Sequence, residues 1–161
     1  MSKECRPLKT GEADFPTEVE LSAFANKFAP VLQTPLVFWL QGDLGAGKTA
    51  FTRALIHALG YKSRVKSPTY GLLESYQIGD IHALHLDLYR ISDPGELEFL
   101  GLEDLMDEHT IVLIEWPDRG QGCLPQADFV FLFSYADQGR KLHWQACSET
   151  AVKVIDAFLT T

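Results

Sequence analysis

Leu36-Val37-Phe38-Trp39-Leu40-Gln41-Gly42-Asp43-Leu44-Gly45-Ala46-Gly47-Lys48-Thr49 decides the fold. The apolar run Leu36 to Leu40 predicts a strand buried on both faces, because it does not alternate with polar residues. Gly42 to Thr49 then satisfies every fixed position of the phosphate-loop pattern G-x-x-x-x-G-K-[ST]. Beyond it, Phe51, Ala54, Leu55, Ala58 and Leu59 recur at helical spacing, and Gly60 suits the C-terminal cap. Strand, glycine turn and helix in that order are the context in which the pattern has physical meaning. Glycines let the backbone curl so that the amides of Asp43, Leu44, Gly45, Ala46 and Gly47 face phosphate oxygens. The helix start adds the positive end of its dipole. Lys48 is expected to reach the β- and γ-phosphates from a solvent-facing cradle, and Thr49 to offer its hydroxyl to Mg²⁺. A loop of this kind implies a nucleoside triphosphate without saying which reaction follows.

Upstream, Thr17-Glu18-Val19-Glu20 reads as a capping box, and Leu21, Phe24, Ala25 and Phe28 give one apolar helical face from about Thr17 to Ala29. Pro30 and Pro35 close that helix. The first ten residues carry no leader signature and are expected to fray. Downstream, Tyr70 to Ile78 and Ile81 to Tyr89 predict a hairpin turning at Gly79-Asp80. In its second strand Leu84, Leu86 and Leu88 alternate with His85, Asp87 and Tyr89, so one face is apolar and the other carries chemistry. Asp93-Pro94-Gly95-Glu96 predicts a second capping box, opening a helix to about Met106 interrupted at Gly101. Ile111 to Ile114 is another buried strand. Phe129 to Tyr135 and Lys141 to Cys147 pair later, and Ala151 to Leu159 is a last helix. The pattern predicts one domain over residues 1–161, with an α/β three-layer phosphate-loop NTPase fold around a mixed, mainly parallel sheet and a β-hairpin.

Composition narrows the classes. With 161 residues, 46% hydrophobic and 22% charged, the chain is an ordinary globular domain and neither disordered nor fibrous. The balance of 14 basic against 22 acidic residues, a net charge of −8, repels phosphate backbones at long range. Stable autonomous DNA binding is not expected. No apolar run approaches the ~20 residues of a membrane span. Cys5, Cys123 and Cys147 are odd in number and widely spaced, which predicts reduced thiols and a cytoplasmic protein.

Two strand ends supply candidate acids. Glu115 follows Ile111 to Ile114 where the metal-side carboxylate of a phosphate-loop enzyme emerges. Asp87 ends the strand bearing His85 and is the second candidate, to hold Mg²⁺ or orient the attacking water. His85 is expected to be structural or bonded to Asp87. Trp116 either flanks the nucleotide or a partner, or packs in the core. Thr69, in Ser67-Pro68-Thr69, lies where a switch loop would carry a threonine to the γ-phosphate. Lys62, Arg64 and Lys66 form a basic cluster that fits tRNA, an acidic partner face or simply solvent.

The phosphate loop, Ser67-Pro68-Thr69-Tyr70, His85-Leu86-Asp87-Leu88-Tyr89-Arg90 and Glu115-Trp116-Pro117, in this order, resemble the TsaE (YjeE) family, the small ATPase of bacterial tRNA threonylcarbamoyladenosine biosynthesis. The likeness spans roughly Thr17 to Arg140. It implies ATP and Mg²⁺ as cofactors, with Thr49 and Glu115 at the metal, Lys48, Asp87, Glu115 and Thr69 in catalysis, and Trp116 beside the nucleotide. Thr17 or Glu18 and Arg140 would then flank the adenine. It also implies TsaB- and TsaD-type partners, with tRNA met through that complex. The competing class is a small-molecule or nucleotide kinase using the same loop. The arginines here are scattered singly, with no arginine-rich lid to clamp a transferred phosphoryl group. A guanine-reading Asn-Lys-x-Asp is absent from the sequence, which argues against a GTPase switch.

Overall fold

A computed structural model describes residues 5–68 and 72–161 of the chain. Seven strands form a single sheet: β1 (Lys9–Phe15), β2 (Leu36–Gln41), β3 (Leu73–Ile78), β4 (Ile81–Asp87), β5 (Thr110–Glu115), β6 (Phe129–Tyr135) and β7 (Arg140–Ala146). Their order across the sheet is β1-β7-β6-β2-β5-β4-β3. β2 is parallel to both β5 and β6, and β4 is parallel to β5. β7 and β3 run against their neighbours, so five of the seven strands point one way. The sheet is therefore mixed and mainly parallel, with the hairpin β3–β4 at one edge turning at Gly79-Asp80.

Burial on both faces explains the continuous apolar runs. Leu36, Phe38 and Leu40 of β2 enter one core, and Val37 and Trp39 enter the other. The first core lies under α1 (Glu18–Phe28), α2 (Lys48–Ala58) and the last helix, Glu149–Leu159. It is an aromatic lattice in which Phe38, Phe51 and Phe131 stand 5.2–6.3 Å apart, ring centre to ring centre. The second core packs Leu84, Leu86, Val112 and Ile114 against Leu97 and Leu102. α1 starts as its sequence predicts: Thr17 Oγ1 accepts from Val19 N at 3.2 Å, and Glu20 accepts from Thr17 N at 2.7 Å.

Four expectations change. Lys9 and Thr10 do not fray, because β1 pairs with β7 along its whole length and Leu8 N donates to Ala146 O at 2.8 Å. Cys5 and Cys147 are not both free thiols: the β1–β7 pairing brings their Cα atoms to 5.5 Å and they form a disulfide, leaving Cys123 free and exposed. The helix expected from Asp93 to Met106 is a 3₁₀ segment, Pro94–Leu100, followed by the one-turn α3 (Leu102–Leu105). Gly101 between them is left-handed at φ 61° and breaks the run. Asp93 caps Gly95 N, but Glu96 accepts from Ser92 and so does not close a box with Asp93. The remaining helix, α4 (Glu149–Leu159), buries Val154, Ile155 and Phe158. No helix among the described residues is long and apolar enough to cross a membrane.

Candidate nucleotide site

The parallel register sets the site. β2 ends at Gln41 and feeds the glycine loop, while Asp87 and Glu115 are register partners at the ends of β4 and β5. The topology therefore delivers loop and carboxylates to the same edge, outside the carboxyl ends of the parallel strands, where open α/β sheets bind ligands. Gly42, Gly45 and Gly47 all have positive φ. A Cβ on Gly42 would lie 2.4 Å from Phe133 O, and one on Gly45 would lie 2.7 Å from Tyr135 Oη. Glycine is thus required twice over, by conformation and by the approach of β6.

A cavity of about 380 Å³ is lined by Leu44, Gly45, Gly47, Lys48, Thr49, Asp87, Glu115 and Trp116, with Ser67, Pro68, Leu72, Tyr89 and Arg90 at its margins. Lys48 is there, but not facing solvent as expected: it is 5% exposed. Its ammonium folds back to donate to the carbonyls of Gly42 and Asp43 and lies 3.8 Å from the centre of the Trp116 ring. Burial lowers its pKa, opposed by the carboxylates of Glu115, Asp87, Asp43 and Asp118. Asp87 shifts the other way. Burial raises its pKa and Glu115 adds to the rise, against the Tyr89 backbone N–H, His85 and Lys48.

Thr49 Oγ1 donates to Glu115 Oε1 at 2.9 Å. Glu115, 2% exposed, also accepts from His85 Nε2 at 2.5 Å through Oε2. His85 thus pairs with Glu115 and not with Asp87, whose Oδ1 accepts from Tyr89 N at 3.0 Å. His85 Nδ1 is buried with no partner among the described residues, an omission that costs about 1–3 kcal/mol. The donor set suits Mg²⁺. Thr49 and Glu115 offer oxygens only, the ligand type of a hard cation. Mg²⁺ commonly takes one or two protein oxygens and fills its shell with phosphates and water.

Trp116 packs against the second core and also borders the cavity. It is left-handed at φ 58°. Its ring stands 5.0 Å from that of Tyr89. A second cavity of about 220 Å³ shares Gly45, Gly47 and Ala50 with the first and brings together Thr17, Glu18 and Arg140. Thr17 is also the α1 cap. Arg140 Nε donates to Gly45 O at 3.0 Å, and its guanidinium lies over the Tyr135 ring at 4.3 Å. Tyr135 itself donates to Leu44 O at 2.5 Å. Sequence reasoning missed Tyr135, because only the β2–β6 pairing carries it to the loop. It also left Arg90 and the His85–Glu115 contact unread. Thr69 lies outside the described residues.

A family model described as "Threonylcarbamoyl adenosine biosynthesis protein TsaE" matches residues 15–142. The "tRNA threonylcarbamoyladenosine biosynthesis protein TsaE" of Haemophilus influenzae is 41% identical over 148 residues, covering 89% of this chain and 94% of its own length. The protein of that name from Borreliella burgdorferi is 36% identical, covering 79% of this chain and 93% of its own. Among solved structures, YdiB of Bacillus subtilis superposes with a TM-score of 0.72 over 98% of this chain and 97% of its own, at 23% identity, a likeness of fold.

Proposed function

The chain belongs to the TsaE family, and from that premise we propose that it serves tRNA threonylcarbamoyladenosine formation as an ATP-hydrolysing subunit that acts through a TsaB–TsaD-type complex. The observation that carries this reading is the Thr49–Glu115 pair, 2.9 Å apart, in one cavity with Lys48 and Asp87. ATP is the expected nucleotide, with its phosphates in the glycine loop and its base toward Thr17, Glu18 and Arg140. Thr49 and Glu115 would hold Mg²⁺, which when bound offsets charge on the β- and γ-phosphates. The ammonium of Lys48 supplies positive charge inside the loop. Asp87 would accept a hydrogen bond from the attacking water. The water oxygen bonds to the γ-phosphorus as the bond to the β–γ bridging oxygen breaks, leaving ADP and inorganic phosphate. Thr69 is assigned to the loop that orders around the γ-phosphate. No acceptor for a phosphoryl group other than water is needed, which sets this reading apart from a kinase.

Phosphate release from ATP and from GTP, by the chain alone and with TsaB- and TsaD-type proteins added, tests the proposal. ATP turnover that rises with the partners is expected. The absence of ATP turnover in either condition overturns the enzymatic part.

A further inference from the structure

His85 is no part of the phosphate-loop motif, yet it makes a close polar contact to Glu115, which lines the cavity. It sits inside β4 and is fully buried. Its Nε2 lies 2.5 Å from Glu115 Oε2. A carboxylate oxygen calls for a donor opposite it, a role that Nε2 fills as Nε2–H. The other ring nitrogen, Nδ1, is buried with no partner among the described residues. Buried polar side-chain atoms are nearly always hydrogen-bonded, so filling space is a poor account of an imidazole in this position. Here one ring nitrogen is committed to a carboxylate and the other has no partner among the described residues.

Glu115 is approached from two directions. Thr49, in the first turn of α2, donates to Oε1 at 2.9 Å and lies 3.2 Å from Oε2. His85 reaches Oε2 from β4. A glutamate at a strand end rotates broadly about its terminal bond unless something holds each side of the carboxylate. His85 supplies the hold that Thr49 cannot, because it comes from the neighbouring strand.

We propose that His85 is a positioning residue: its Nε2–H fixes the Glu115 carboxylate so that the remaining acceptor directions stay turned toward Thr49, where the cation of a nucleotide complex would be held. This rests on the Mg²⁺-nucleotide reading of the cavity. His85 acts through Glu115, as outer hydrogen-bond partners do at metal sites.

Two conservative variants separate positioning from a general structural role. Glutamine carries its amide nitrogen close to where histidine has Nε2, and asparagine close to where it has Nδ1. Affinity for a non-hydrolysable imido analogue of ATP is measured by calorimetry in Mg²⁺ and in EDTA, with melting curves recorded alongside. Wild type is expected to bind more tightly in Mg²⁺. His85→Gln should keep that advantage within about threefold, and His85→Asn should lose about ten- to a hundredfold of it. Affinities in EDTA should agree within about twofold across the three proteins. Equal Mg²⁺ advantages in all three, or losses as large in EDTA as in Mg²⁺, overturn the proposal. A wild type whose affinity ignores Mg²⁺ overturns the metal reading itself, and the two failures are thus told apart. If His85→Asn does not fold, ring-nitrogen NMR of the wild type decides. A slowly exchanging Nε2–H that shifts on adding the Mg²⁺ analogue complex is expected, and a ring protonated only at Nδ1, or an Nε2–H that does not respond, overturns the assignment.

Discussion

Lys48 carries the positive charge of the loop in a place that opposes it. Its residue type and position follow from the motif, but its burial does not, because Trp116 covers it only once β5 and the loop are assembled. Methionine keeps the apolar stem under the indole, whereas alanine would leave a void there. Lys48→Met should therefore melt cooperatively near the wild-type temperature and lose about 10²- to 10³-fold in kcat for ATP, the loss seen when one preorganised electrostatic donor is removed. Wild-type turnover in this variant would remove Lys48 from the machinery. Asp87 makes a complementary case. Its pKa is raised in the folded protein, first by burial, so the native state holds this proton more tightly than the unfolded chain does. Between the unfolded and folded pKa values the native state binds more protons, and stability contributed at this position falls as pH rises through that window. Above it the penalty is fully present. Asp87→Asn should then raise the melting temperature at neutral pH, and the gain should shrink as pH falls through the raised pKa of Asp87 and be gone below the ordinary carboxylate range. Turnover should drop more than ATP affinity, since a group engaged with the attacking water acts in the transition state. A melting gain independent of pH would contradict the burial account. Tyr135 marks the limit of reading residues singly: nothing beside it in the sequence points to the loop, and it arrives there by strand pairing alone.

Elements were legible where one local period governs them. The stripe Leu21, Phe24, Ala25, Phe28 and the apolar run of β2 need no tertiary information, and both form as expected. The segment from Pro94 to Leu105 was less legible, because its start signals are genuine while Gly101 in a left-handed conformation ends the 3₁₀ piece and extended backbone at Met106 ends α3 after one turn. The pairing of β1 with β7 was also hidden. Lys9 to Phe15 is an edge strand with a half-exposed pattern, and its partner is more than a hundred residues away. The glycine loop shows how an element's demands become measurable. Gly42 combines φ 136° with a backbone carbonyl, Phe133 O, where its Cβ would go, while Gly79 at φ 57° has nothing within 4 Å. Gly79→Ala should lose only the left-handed penalty of about 1–2 kcal/mol. Gly42→Ala should lose about 2–4 kcal/mol, because φ strain is joined by displacement of β6. Denaturant midpoints with unchanged slopes would measure both losses. Equal losses would mean that the loop does not press on β6 as its geometry requires.

At the scale of the molecule, the charge of −8 and the cavity beside the glycine loop bound what the chain does by itself. The carboxylate pair, Lys48 and the glycine loop are the proposed contacts to a triphosphate. Ser67 and Pro68 line the cavity and Trp116 stands over Lys48, so these residues are the ones expected to sense a bound triphosphate. A γ-phosphate entering the loop must compete with the Gly42 and Asp43 carbonyls for the Lys48 ammonium. That exchange disturbs the Lys48–Trp116 contact, which connects through Tyr89 to the exposed Arg119. A ligand that binds one arrangement of these contacts better than another shifts the surface a partner meets. ATP should then strengthen association with a TsaB–TsaD-type complex, and ADP should weaken it. By linkage the complex must bind ATP more tightly than the free chain does, by the same factor. The expected factor is about 5- to 150-fold, the usual range of coupling free energies. Association is measured with ATP, ADP and no nucleotide, using Asp87→Asn so that ATP persists, and the reciprocal ATP affinities are measured with and without the partners. Identical association in all three states would leave an ATPase whose turnover is not coupled to its partners, and unequal factors in the two directions would mean that more than one bound state had been sampled.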